Sequence, residues 1–355
     1  MKKKVLIILP CFAMGGAENM VYELSTHIDP AKFEMSVLCY CGKQNTSLEQ
    51  KAERKIDIHY VDCAGTVTLK KIQTVFKEIY RIKPDIVHAH MGGTLYAALW
   101  TLKARKPLVV TIHTAPQKSF SNLIEKVLQF RMKFGRCRLV AVSEENQRLV
   151  NKYFNLKTPC EFVNNGVDQS RFYRKKHDKF TFINVARQDD NKNQQMLIQA
   201  FRKFHETHHD ARLILVGDGP NHEMLQMMCK ELAIQNEVLF TGNIVNTEDY
   251  YAFSDVYVQT SHREALPMSI LEAMAAGLPI VSTDVGGIKD VVHQNGYLIE
   301  DGATKALIEK MTLLYSMTDN ERKRLSSQSI ILVDGFSAEK MARKYEDVFM
   351  NLLCD

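Results

Sequence analysis

Arg187 and Lys192 stand five residues apart, just after the apolar run Phe180–Ala186. Two cations at the lip of a strand suit a pyrophosphate that gains negative charge as a bond to it breaks. Glu264 and Glu272 bracket the segment Glu264-Ala265-Leu266-Pro267-Met268-Ser269-Ile270-Leu271-Glu272. Pro267 fits the first turn of a helix, so Glu264 falls in the loop before it, where it can meet a ligand. Glu272 falls about a turn and a half along that helix. Two solvated glutamates on an amphipathic helix would be the ordinary case, but Glu272 is flanked by Ile270, Leu271, Ala273 and Met274. Two glycine pairs, Gly15-Gly16 and Gly286-Gly287, each follow an apolar run. Glycine lets a backbone approach an anion closely, and the first pair precedes a helix expected from about Asn19, whose N-terminal N–H groups are unpaired. The spacing is not G-x-G-x-x-G, which disfavours NAD. His88 and His90 close one apolar run and His113 another. His88 reads as a core residue. His90 and His113 share an edge, where an imidazole serves either the core or a hydrogen bond to a hydroxyl or developing charge.

The elements that must position these groups are short apolar runs alternating with amphipathic segments. Strands are predicted at Lys4–Leu9, Phe33–Cys39, Ile56–Val61, Asp85–Ala89, Leu108–Ile112, Arg138–Val142 and Glu161–Val163. In the second half they are predicted at Phe180–Ala186, Arg212–Val216, Val238–Phe240, Val256–Gln259, Pro279–Ser282 and Gly296–Ile299. Unbroken β-branched runs rather than strict alternation indicate strands buried on both faces of parallel sheets. The fold class is therefore α/β, with two Rossmann-like, doubly wound parallel sheets. Residues 1–168 form the first expected domain and 180–335 the second, with the charged stretch 169–179 as a linker. The remainder, 336–355, holds a final helix with a helical repeat of Met341, Tyr345, Val348, Phe349 and Leu352.

Composition sets limits. At 45% hydrophobic and 25% charged the chain is globular, and it lacks the ~18 to 20 consecutive apolar residues of a membrane span. Met1-Lys2-Lys3-Lys4 followed by Val5–Leu9 imitates a signal peptide, but the apolar run stops at Pro10 and reads as a buried strand. Eight scattered cysteines form no C-x-x-C pair and no zinc cluster, as expected of reduced core thiols in a cytoplasmic protein. Residues 1–168 carry 25 Lys/Arg against 15 Asp/Glu, whereas 169–355 carry 21 against 26. Between Trp100 and Arg138 stand nine bases (Lys103, Arg105, Lys106, Lys118, Lys126, Arg131, Lys133, Arg136, Arg138) and one acid, Glu125. A field of one sign favours an anionic partner, such as a phospholipid surface or a phosphate-bearing acceptor. No aromatic-interleaved motif points to nucleic acid.

The ordered set of Glu264-x7-Glu272, Arg187, Lys192 and Gly15-Gly16 resembles the large retaining GT-B glycosyltransferase family (group 1, family 4). That family includes capsule, lipopolysaccharide and phosphatidylinositol mannosyl transferases. Ile86-Val87-His88-Ala89-His90, Asn164–Asp168, Leu215–Pro220 and Glu272–Pro279 agree with it, and the resemblance runs from Val5 to the last helix. It implies two domains facing across a cleft, with the last helix crossing back to the first. It also implies transfer of a hexose-type sugar from a nucleotide-diphosphate sugar to a hydroxyl, with retention and without a metal or other cofactor; the sequence has no Asp-x-Asp. Gly15 and Gly16 would approach the donor phosphates, and Arg187 and Lys192 would neutralise the leaving diphosphate. Glu264 would contact sugar hydroxyls, Glu272 the ribose, and His113 the sugar. Gly286 and Gly287 would help hold the donor through backbone N–H groups. Gly242 and Leu266-Pro267-Met268 lie where donor choice is expected, and Glu18 and His90 are acceptor-side candidates. Asp290 departs from the glutamate many relatives carry after the Gly-Gly loop.

The resemblance and the basic first half together lead us to expect a lipid-linked or polysaccharide acceptor in surface glycan synthesis. The enzyme would be cytoplasmic, peripheral on an anionic membrane through Phe120–Phe134 (Leu123, Val127, Phe130 with Lys126, Arg131 and Lys133). That stretch reads equally as a helix packed on the sheet. Two other readings share the fold: a nucleotide-sugar epimerase, and a binding module without catalysis. A phosphorylase would need a lysine-held pyridoxal cofactor that nothing marks.

Overall fold

The computed structural model describes residues 2–114, 122–133, 136–157, 159–244 and 246–354. They divide into two compact units, Met1–Gly166 with Ala338–Asp355, and Val167–Ser337.

The first unit is built on seven parallel strands: β1 (Lys3–Leu9), β2 (Phe33–Cys39), β3 (Asp57–Tyr60), β4 (Ile86–His90), β5 (Leu108–Ile112), β6 (Cys137–Ala141) and β7 (Glu161–Phe162). Their order across the sheet is β3-β2-β1-β4-β5-β6-β7. Successive side chains of a strand point to opposite faces, and the sequence uses both. Leu6, Ile8, Val87, Ala89, Leu108, Val110 and Ile112 form one core with Val75, Ile79, Trp100 and Leu128 from the covering helices. On the other face lie His88, His90 and Thr111, under the last helix, Ala338–Cys354, which brings Tyr345 and Phe349 against His88. Phe349 also meets Phe33 edge-on. Glu346 accepts hydrogen bonds from the Asp29 N–H (2.8 Å) and Lys32 Nζ (3.1 Å), which fixes the register of that helix.

The second unit carries six parallel strands: β8 (Thr181–Val185), β9 (Arg212–Val216), β10 (Val238–Gly242), β11 (Val256–Gln259), β12 (Ile280–Thr283) and β13 (Gly296–Ile299), in the order β10-β9-β8-β11-β12-β13. Phe182, Leu213, Leu215, Val256, Val258 and Val281 pack on Leu197, Phe201, Phe204, Leu307 and Met311. Burying each such side chain contributes about 1.5–3 kcal/mol. The opposite face is more polar, with Tyr257, Gln259 and Ser282 fully covered.

The charged stretch 169–179 is no free linker. Arg171 pairs with Glu248 (3.2 Å), Tyr173 bonds Asp249, Arg174 donates to the Ser254 carbonyl, and the Lys175 N–H donates to the Ala252 carbonyl (3.0 Å). Its charges find partners within the second unit, so the unit begins at Val167. The first helix also starts earlier than expected, at Gly16, because the Gly15 carbonyl already accepts from the Asn19 N–H (3.0 Å). Pro267 sits one residue ahead of the helix Met268–Ala275, as its N-cap.

Candidate active site

Strand order reverses between β8 and β11 in the second sheet, with β9 and β10 on one side and β12 and β13 on the other. Loops leaving the carboxyl ends of two such strands diverge, and open parallel sheets bind ligands there. The loop after β8 carries Arg187 and Lys192, and the loop after β11 carries Glu264. The two loops are stitched together. Thr260 Oγ1 donates to the carbonyls of Lys192 (3.0 Å) and Asn193 (2.9 Å), Asn191 Nδ2 donates to the Arg263 carbonyl (2.9 Å), and the His262 N–H donates to the Asn191 carbonyl (2.8 Å).

This stitching brings Lys192 Nζ to 2.5 Å from Glu264 Oε1. The same oxygen accepts from Gln259 Nε2 at 2.7 Å. Gln259 also donates to Ser261 Oγ (3.1 Å) and accepts from the Tyr257 hydroxyl (2.7 Å), which bonds Ser269 Oγ as well (2.8 Å). Glu264 is thus aimed by a chain of hydrogen bonds rooted in the buried strand β11. Glu272 is 6% exposed, and the fully buried Tyr251 hydroxyl donates to its Oε2 at 3.1 Å. Burial, then the neighbouring Glu272, pushes that phenol's pKa well up, so it stays a donor. Arg187 stands apart: its side chain is 68% exposed and pairs with Asp189 at 3.8 Å. Sequence reasoning missed Gln259, Tyr257 and Tyr251. A signal existed in the Tyr-x-Gln alternation of an otherwise apolar strand, which puts two polar groups on one covered face.

Backbone conformation explains the glycines. Gly286 has φ +58°, and a Cβ there would overlap the Glu264 carbonyl oxygen. The Gly287 N–H, expected to face the donor, instead donates to the Ala265 carbonyl (2.8 Å). The Gly286-Gly287 turn therefore seats the Glu264 loop. Leu266, Pro267 and Met268 are buried, leaving backbone rather than side chain at the start of their helix. Gly242 has φ +64°, and its carbonyl accepts from the Gly217 N–H at 2.9 Å. Asp290 is exposed at the end of the turn Gly286–Asp290.

In the first unit, order reverses between β1 and β4. Gly15-Gly16 follows β1, and the Glu18 carboxylate folds back over Gly15, so that a side chain there would displace it. Glu18 is 7% exposed, an acid at a helix N-terminus where the helix dipole favours it. His90 closes β4 and His113 follows β5, with His90 Nδ1 and His113 Nε2 2.8 Å apart. Behind them His88 Nε2 lies 2.8 Å from Thr111 Oγ1, which lies 2.8 Å from the Tyr345 hydroxyl. Burial lowers the pKa of His88 to about 3 and that of His113 to about 4, and holds His90 well below the ordinary value. All three rings are neutral near pH 7. Among the described residues no cluster of His, Cys, Asp and Glu could hold a metal, and no helix is long and apolar enough to cross a membrane.

Two parallel-sheet units, each with polar groups gathered at the carboxyl ends flanking its order reversal, define the GT-B architecture of nucleotide-sugar-dependent transferases. Residues 14–171 match the model for Glycosyltransferase Family 4 and residues 167–330 that for Glycosyl transferases group 1. The chain belongs to this family of retaining glycosyltransferases, which transfer a sugar from a nucleotide sugar. It is 26% identical to the N-acetyl-alpha-D-glucosaminyl L-malate synthase of Bacillus anthracis, covering 91% of this chain and 98% of that one. It is 24% identical to the alpha-monoglucosyldiacylglycerol synthase of Acholeplasma laidlawii over 79% of each. HepE of Anabaena, solved with UDP and glucose, superposes with a TM-score of 0.84 over 98% of this chain and all of that one, at 19% identity.

Proposed function

We propose that the chain transfers a hexose-type sugar from a nucleoside-diphosphate sugar to a hydroxyl of a lipid-linked or polysaccharide acceptor, without a metal. The observation that carries this reading is the Lys192–Glu264 pair at the β8/β11 reversal. Lys192 has ammonium protons beyond the one given to Glu264, and these neutralise the diphosphate as the sugar leaves; Arg187, exposed on the same loop, swings in to join it. Glu264 commits Oε1 to Lys192 and Gln259 and offers Oε2 to the sugar hydroxyls. Glu272, held by Tyr251, takes the ribose. His113 contacts the sugar and Gly15-Gly16 the phosphates, Gly242 and the backbone at Leu266-Pro267-Met268 shape donor choice, and Gly286-Gly287 helps hold the donor by seating the Glu264 loop. Glu18 belongs to the acceptor side, and His90, buried beside His113, serves that side only through the His113 ring. Catalysis then rests on charge stabilisation and positioning, with the acceptor hydroxyl attacking on the face from which the diphosphate departs.

The lipid-linked acceptor is the finer part of the proposal, supported by the diacylglycerol-linked product in the name of the A. laidlawii relative. Not all of the nine bases serve a surface. Arg131 is 4% exposed and donates to the carbonyls of Lys106 (2.6 Å) and Arg136 (2.9 Å), and Arg136 donates to the Arg105 carbonyl (2.8 Å). Lys103, Lys126, Lys133 and the 52%-exposed Phe130 remain outward, while Lys118, Phe120, Phe134 and the Leu123 side chain lie outside the described residues. Thermal denaturation with UDP-, GDP- and ADP-sugars, with and without EDTA, tests the donor. The matching donor at 100 times its Kd stabilises by about 2.7 kcal/mol, undiminished by EDTA; no shift with any nucleotide sugar would remove the proposal. Sedimentation with anionic vesicles at low salt tests the acceptor side, and failure to sediment removes the membrane alone.

A further inference from the structure

We infer that His90 is a positioning residue that fixes His113 in its Nδ1–H tautomer, so that the ring nitrogen left over for substrate donates a hydrogen bond and does not accept one. This rests on the reading that places His113 at the transferred sugar. The chain of constraint begins in strand β4. Its alternation turns His88 and His90 to the same face, with ring centroids 4.2 Å apart, and both are fully buried. His90 Nδ1 faces His113 Nε2 at 2.8 Å, whereas His90 Nε2 is buried with no hydrogen-bond partner.

A neutral imidazole carries one proton, on one nitrogen or the other. If His113 donated from Nε2, His90 would have to accept at Nδ1 and carry its own proton on Nε2. That N–H would then be buried without an acceptor. Orphaned buried N–H groups are rarer in proteins than under-used acceptors. The reverse arrangement leaves only a bare lone pair at His90 Nε2. His90 therefore donates from Nδ1, His113 accepts at Nε2, and the His113 proton sits on Nδ1. No residue among those described hydrogen-bonds His113 Nδ1, and the His113 ring is only partly covered. The lowered proton affinities of the rings agree with a neutral pair. The ring orientation is fixed in turn from behind: His88 packs at a tilt of 47° against His90 and is held by Thr111, which Tyr345 of the last helix contacts. A donor nitrogen so held suits a hydroxyl oxygen or an oxygen gaining negative charge.

The test is a two-bond proton–nitrogen correlation spectrum of the full-length 15N-labelled protein, with His113 assigned by loss of its signals in His113→Phe. The expected wild-type pattern is a protonated Nδ1 and an unprotonated Nε2. His90→Leu removes the donor and shifts His113 toward Nε2–H, with kcat for transfer falling about tenfold while the donor KM changes little. His90→Asn, whose amide N–H can take the place of Nδ1–H, restores both the tautomer and most of the rate. An Nε2–H pattern in the wild type, or an unchanged pattern in His90→Leu, overturns the inference. Unchanged transfer in His113→Phe overturns instead the placement of His113 at the sugar, a separate result from the spectrum.

Discussion

Glu264 illustrates how residue-scale chemistry depends on neighbours that carry none. Its Oε1 accepts from Lys192 and Gln259, so a change at Gln259 should act through Glu264. Gln259→Leu is expected to raise the donor KM and lower kcat/KM about tenfold, near the 1.4 kcal/mol of one modest hydrogen bond to a charged group. Glu264→Gln keeps the shape but loses the carboxylate, and should lower kcat/KM by 10²-fold or more in steady-state transfer assays. Arg187, Lys192 and Glu264 stand out as candidates in the sequence because charged residues follow apolar runs at strand ends, and Glu272 because its neighbours in the helix are apolar. Tyr257 and Gln259 in strand β11 and Tyr251 in the helix Thr247–Ala252 do not stand out, because a polar residue among apolar neighbours shows its role only once its partners are known. The partner of Gln259 comes from the loop five residues on, and that of Tyr251 from a helix 21 residues away.

At the scale of elements, two local arrangements make specific demands. Gly286 adopts φ +58° directly against the Glu264 carbonyl. Gly286→Ala should therefore cost about 1–3 kcal/mol in chemical denaturation and weaken donor binding as well, because the Glu264 loop must move. The histidine-bearing face of the first sheet ties stability to pH. The His88 pKa is lowered from 6.5 to about 3. Below pH 6.5 the unfolded chain binds a proton that the folded chain refuses, so stability falls as pH drops from about 6.5 toward 3 and is fully present above 6.5. At pH 5, His88→Asn should show a shallower loss, by up to about 1.4 kcal/mol per pH unit, in denaturant midpoints compared with wild type. The strands themselves were plain from the sequence: all thirteen appear within a residue or two of their expected bounds. The Gly287 N–H was misjudged, because its partner, the Ala265 carbonyl, is brought near only by the packing of β11 beside β12.

For the whole molecule, two α/β units were evident from the repeating strand–helix rhythm, and the family follows from both halves of the chain. Charge was less informative than its count suggested. Of the nine bases between Trp100 and Arg138, Arg131 and Arg136 satisfy backbone carbonyls, and Lys106 faces Asp85 at 3.8 Å. A tally of charges cannot distinguish a base that binds a partner from one that ends a helix. The last helix is integral to the first unit. Phe349 is fully buried there, so Phe349→Ala should destabilise by about 3–5 kcal/mol, read as a fall in the unfolding midpoint of wild-type and variant protein.

In the proposed reaction Lys192 meets the diphosphate at the β8/β11 reversal. Calorimetric titration of the nucleoside diphosphate whose sugar stabilises the protein measures this directly, in wild type, Lys192→Met and Lys310→Met, a lysine over the Tyr297 ring in the same unit. The predicted result is binding weakened tenfold or more in Lys192→Met and unchanged in Lys310→Met. Equal affinity in wild type and Lys192→Met would contradict it.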